Sequence, residues 1–99
     1  MFARIHTLET TPEQFERGLD VVRDDLLPWA RESSGFCGMI GLTDREHGRT
    51  LVVTLWADEE TLAASAEAAE RLSALADQLS GATRRGIDRY EVVLYEVLV

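Results

Sequence analysis

The sequence predicts an α+β fold: a four-stranded antiparallel sheet with two helices on one face, in the order strand–helix–strand–strand–helix–strand. Three observations lead there. Four segments rich in apolar and β-compatible residues are separated by two segments whose apolar residues recur at helical spacing. A polar stretch, Asp44 to Gly48, reads as a hairpin loop between the second and third strands. The chain has 99 residues, 45% hydrophobic and 28% charged, which is the size and balance of one ordinary domain spanning 1–99.

Phe2 to Leu8 alternates and forms the first strand, with Phe2, Arg4, His6 and Leu8 on one face and Ala3, Ile5 and Thr7 on the other. Thr11 is an N-cap, Pro12 suits the first helical turn and Gln14 completes a capping-box spacing. Phe15, Leu19, Val22 and Leu26 then mark one helical face, and Pro28 bends or ends this helix near Leu27. Phe36 to Thr43 is the second strand and Arg49 to Ala57 the third. Asp58 caps a second helix whose inner face carries Leu62, Ala66, Ala69, Leu72, Ala76 and Leu79, and Gly81 stops it. Ala82 to Asp88 reads as a connector and Tyr90 to Val99 as the fourth strand.

Two helices cover one sheet face, yet the third and fourth strands are apolar on both. The other face, with Ala3, Ile5, Thr7, Leu51, Val53 and Leu55, is therefore expected to meet a second copy in a homodimer.

Composition narrows the function. Net charge is −8, and all ten bases are arginine; lysine and asparagine are absent. That removes a Schiff-base lysine and a P-loop lysine, and an acidic chain without a basic block does not suit nucleic acid. The single cysteine, Cys37, forms no internal disulfide and reads as a small buried apolar residue. No signal peptide is visible, and the apolar run from Leu51 to Ala57 is far below the roughly 20 residues of a membrane span. A cytoplasmic protein without a membrane partner is expected.

The residues resemble the dimeric α/β-barrel superfamily of ferredoxin-like folds, and within it the antibiotic-biosynthesis-monooxygenase-like domains. The markers are the opening strand, the Gly35-Phe36-Cys37-Gly38 entry to the second strand, and Leu51-Val52-Val53-Thr54-Leu55-Trp56-Ala57-Asp58-Glu59-Glu60. The resemblance implies a homodimer with an apolar pocket in each subunit for a flat aromatic or polyketide-like substrate. It implies direct reaction of O2 with a substrate carbanion, with no cofactor. The monooxygenases and the haem-degrading members resemble each other in having Trp at the place of Trp56. The former have Asn four residues earlier and an aromatic six later, where this chain has Val52 and Leu62. The latter have Asn in the first strand and a ligating His ten residues after the Trp, where this chain has His6 and Ala66. Haem degradation is accordingly the least supported activity, and a non-catalytic ligand-binding or interaction domain is the alternative.

His6 is the candidate general base, or a hydrogen-bond partner for a phenol oxygen; a satisfied structural histidine is the plainer reading. Trp56 is read as the wall of an apolar pocket or as a core aromatic, with Leu62 nearby in the second helix. Arg4 is expected to pair with Glu91 or Glu96, or to bind an anionic substrate. His47, with Asp44 and Glu46, has too few ligands for a metal site and reads as solvent-exposed loop. One of Tyr90 and Tyr95 is a further candidate for a pocket wall, and Arg84-Arg85 for its mouth or for the carbonyls ending the second helix.

Overall fold

The computed structural model describes residues 1–98. Strands β1 (Phe2–Glu9), β2 (Phe36–Asp44), β3 (Arg49–Trp56) and β4 (Thr83–Glu91) form one antiparallel sheet in the order β2-β3-β1-β4. Helical segments α1 (Pro12–Val21), a π-helical turn (Val22–Leu26) and α2 (Leu27–Glu32) follow β1, and α3 (Glu59–Ala64) and α4 (Ala66–Ser80) follow β3. This is the predicted α+β, ferredoxin-like architecture.

The register assigns faces. Arg4 lies opposite Thr54 and His6 opposite Val52, all toward the helices; Ala3 pairs with Leu55, Ile5 with Val53 and Thr7 with Leu51 on the other face. Both sets are those that strict alternation predicts. The capping box forms as expected: Gln14 N–H donates to Thr11 Oγ1 at 3.2 Å, and Thr11 N–H to Gln14 Oε1 at 3.0 Å.

Four local readings are corrected or narrowed. Of the two outcomes expected at Pro28, a bend or an end, the first helix does not end at Leu27. Pro28 has no N–H to give to Asp24, and the chain widens into a π turn, with Leu27 N–H reaching Val22 O, before α2 continues to Glu32. The second helix is broken at Ser65, where Leu62 O accepts from Arg4 Nη2 at 2.7 Å and from Ser65 Oγ at 2.8 Å. Cys37 is exposed, because a bulge between Phe36 and Gly38 turns it out of the alternation.

The fourth correction concerns the last strand. β4 occupies the arginine-rich Thr83–Glu91 and not Tyr90–Val99. Val92 N–H still donates to Met1 O at 2.9 Å, but β1 begins at Phe2, and among the described residues those beyond Val92 have no backbone partner in this sheet. Its apolar side chains lie outside the core, with Leu94 84% and Leu98 99% exposed; Val99, the end of the predicted strand, lies outside the described residues.

The face away from the helices is not bare at its centre. Ala3, Val53 and Leu55 are buried there, with Ile5 and Val92 packed against them. Exposed apolar surface lies around that centre, at Ile40, Leu42 and Tyr90, and along the segment after β4.

The connection into β2 depends on Gly35, whose φ is 80° and whose missing Cβ would collide with the Thr61 side chain. Ala57 N–H donates to Gly35 O at 2.7 Å, which ties this turn to the end of β3. Among the described residues, no helix is long and apolar enough to cross a membrane.

Candidate functional site

A cavity of about 450 Å³ separates the helices from the sheet. Its sheet side carries Arg4, His6, Val52 and Thr54, the side chains that alternation aims at the helices. Its helix side carries Phe15, Leu19, Val22 and Leu26, the stripe of the first helix. Helix α1 has no fully buried residue because this stripe faces open space rather than packed side chains. Gly41 also faces inward; nothing lies within 4 Å of where its Cβ would be, so this glycine leaves room. The size and mainly apolar lining suit a small molecule.

His6 is 7% exposed. Among the described residues its ring makes no hydrogen bond, yet no buried nitrogen is orphaned, so the imidazole keeps contact with the open cavity. Burial, reinforced by the charges of Arg84 and Arg4, holds its pKa down at about 4. The ring is therefore neutral at pH 7, with a free lone pair but a weaker pull on protons than an ordinary imidazole. Linkage gives a stability consequence. The unfolded chain binds this proton near pH 6.5 and the folded chain near 4. His6 contributes stability above the unfolded value and loses it as pH falls through that window, by about 3 kcal/mol in full. Chemical denaturation of wild type and His6→Gln at pH 7 and pH 4.5 should show a smaller acid loss in the variant; equal losses would remove this account.

Arg4 is 4% exposed. It forms no ion pair with Glu91, and the described residues show none with Glu96 either, contrary to the expected strand-4 partner. The register shift of the strand explains this: Arg4 lies opposite Arg89, while Glu91 lies opposite Phe2. Its Nη1 donates to Ser65 Oγ at 3.0 Å and its Nη2 to Leu62 O, so the guanidinium caps the carbonyl end of α3. Desolvation and the nearby Arg89 both press its pKa downward.

Trp56 and Leu62 do not line the cavity. Trp56 is fully buried, its Nε1–H donating to Thr54 Oγ1 at 2.9 Å. Its ring lies 6.2 Å from Trp29, 5.6 Å from Phe36 and 5.9 Å from the Arg4 guanidinium, between centroids or to the carbon of the charge. Trp56 thus backs the aromatic residues that do reach the cavity, Trp29 and Phe36. Sequence reasoning missed Trp29. It continues the stripe three residues after Leu26, but Pro28 suggested that the stripe had ended. Leu62 is buried between α3 and the sheet and contributes its carbonyl to Arg4 rather than a side chain to the cavity.

Neither Tyr90 nor Tyr95 lines the cavity; both are exposed. Arg84 pairs with Asp77 at 2.7 Å and Arg85 with Glu9 at 2.8 Å, while Ser80 O at the end of α4 takes Arg17 instead. His47 is an exposed loop residue paired with Asp44 at 2.7 Å. Among the described residues no three His, Cys, Asp or Glu side chains gather as metal ligands.

No family model matches the chain. An uncharacterized protein of Mycobacterium tuberculosis is 33% identical over 78 residues, 79% of this chain and 32% of that protein. The chain therefore spans about a third of the length of the curated relatives it matches. Solved structures superpose on nearly all of it. SnoaB, a cofactor-independent oxygenase from Streptomyces nogalater, gives a TM-score of 0.74 at 10% identity, covering 95% of this chain and 94% of that one. A monooxygenase from Streptomyces coelicolor in complex with the ligand nanaomycin D gives 0.69 at 15% identity, covering 99% and 90%. A dimeric ferredoxin-like protein from an uncultured marine organism gives 0.68 at 17% identity, covering 99% and 100%. At these identities the likeness is one of fold. The chain has the ferredoxin-like fold that antibiotic biosynthesis monooxygenases also have.

Proposed function

We propose that this chain is a monooxygenase-like domain, acting in the cytoplasm as a homodimer, which takes a flat aromatic or polyketide-type molecule between sheet and helices. The observation that carries this reading is the cavity itself: apolar walls from α1, Trp29 and Phe36, with a buried neutral histidine beside a buried arginine on one strand. His6 and Arg4 are two residues apart on one face, so about 7 Å separates their backbones. His6 accepts a proton from the substrate as general base, and the charge of Arg4 stabilises the anion left behind. The cavity holds that anion in place for attack on O2. In this chemistry one oxygen atom becomes a new carbonyl at a substrate methylene, the other leaves as water, and the methylene supplies the four electrons. No cofactor enters this scheme.

Oxygen uptake with anthrone-like compounds and small phenols tests it. Turnover in the wild type with a loss of about 10²-fold or more in His6→Ala is expected. Absence of turnover, or turnover indifferent to His6, defeats the enzymatic reading. One observation favours a second reading, ligand binding without turnover. Val52 is on the cavity wall at the position where the resembling monooxygenases have Asn. Among the described residues, the one carboxylate there, Asp77, is tied to Arg84. Saturable binding without oxygen consumption would select that reading.

A further inference from the structure

The protein carries a net charge of −8, yet the one charge on its cavity wall without a counter-ion among the described residues is positive. One basic and one acidic side chain of the described residues line the cavity, Arg4 and Asp77. Asp77 is neutralised by Arg84 at 2.7 Å. Among the described residues Arg4 faces no carboxylate; its partners there, Ser65 Oγ, Leu62 O and the Trp56 ring, are neutral. A guanidinium only 4% exposed, without a counter-ion, is costly to bury. It has five N–H donors in a rigid fork, of which the two recorded bonds use two. His6, next on the same face, brings no negative charge to offset it.

We propose that the cavity selects planar aromatic anions over their neutral counterparts, with the anionic oxygen of the ligand held by Arg4 and the rings against Phe15, Trp29 and Phe36. This rests on the reading of the cavity as a ligand site and adds the charge of the ligand to it. The anion completes the pairing that Arg4 lacks, in a place where charge-assisted hydrogen bonds are strong. His6, uncharged at neutral pH, adds no second positive group and leaves the site suited to a single negative charge. A neutral ring of the same size would fill the walls and leave the guanidinium unpaired.

The test uses two fluorescent probes of like skeleton, 8-anilinonaphthalene-1-sulfonate and neutral N-phenyl-1-naphthylamine, titrated into the folded protein at pH 7. The expected result is that the sulfonate binds at least about tenfold tighter. Arg4→Gln should bring the two affinities together, and Arg4→Lys should retain part of the preference. Gly41→Leu, which fills the open space at that strand position, should weaken both probes and so assign them to the cavity. Equal affinities in the wild type overturn the charge preference while leaving the cavity as a ligand site. Sulfonate binding that Gly41→Leu leaves undiminished places the probe elsewhere and also overturns it. If neither probe binds, the ligand-site reading falls with it. Should Arg4→Gln fail to fold, the wild-type ratio together with Gly41→Leu decides.

Discussion

Val53→Asp should leave no folded protein at 25 °C. Val53 is at the middle of β3, nine-tenths buried between Ala3 and Leu55, and opposite Ile5 and Ile40 on the neighbouring strands. No basic side chain belongs to this cluster, so an aspartate there is an unpaired buried charge, at a cost of about 3–5 kcal/mol. A domain of this size has about 5–15 kcal/mol in all. The same face is the proposed meeting place of two copies. Burying even about 600 Å² of apolar surface per subunit there is worth on the order of 15 kcal/mol before association costs. The variant should therefore aggregate rather than persist as a soluble monomer. Sedimentation and circular dichroism check both halves. A wild type that stays monomeric at micromolar concentration, or a variant that folds normally, contradicts this account of the sheet.

Trp56→Ala should be nearly as damaging, with the cause on the opposite side of the sheet. The fully buried indole touches Trp29, Phe36 and the Arg4 guanidinium together. Truncation removes the hydrophobic transfer energy, leaves a void, and withdraws the aromatic face under a buried cation, for about 3–5 kcal/mol. The melting temperature should fall by about 20 °C. Trp56→Phe keeps most of the bulk and loses the N–H donation to Thr54, so it should cost about 1–2 kcal/mol. If alanine and phenylalanine prove equally mild in urea titrations, the ring is not a structural centre.

The parts of the fold that were legible in the sequence are those fixed by local periodicity. Alternation in β1 put Arg4 and His6 on the helix side, and the helical stripe from Phe15 to Leu26 named four residues of the cavity wall. What was not legible depended on partners distant along the chain. The helix break at Ser65 is produced by an arginine 61 residues away. The last strand was placed too late because its true residues are polar and arginine-rich. Their pairing is set by where β1 starts and ends, and no local pattern carries that information. Trp56 was open to both roles, pocket wall and core aromatic, because it is the sole aromatic of an apolar strand and ends it beside a helix start. Its neighbours Trp29 and Phe36 shield it from the cavity, and only tertiary packing places them there.

A ligand held as proposed beneath α1 would be part of the architecture. Helix α1 is anchored to α4 near one end, where Gln14 Nε2 donates to Gly81 O at 2.8 Å and Arg17 to Ser80 O. Its apolar stripe has no solid surface to rest on. A ligand that occupies the space would turn that stripe into interior and supply the missing half of its contacts. Ligand concentration and the rigidity of this helix are then two sides of one equilibrium, in which occupancy raises the stability of the whole chain by mass action. On the proposed reading the ligand supplies the last piece of this core, a piece that is not encoded in the chain.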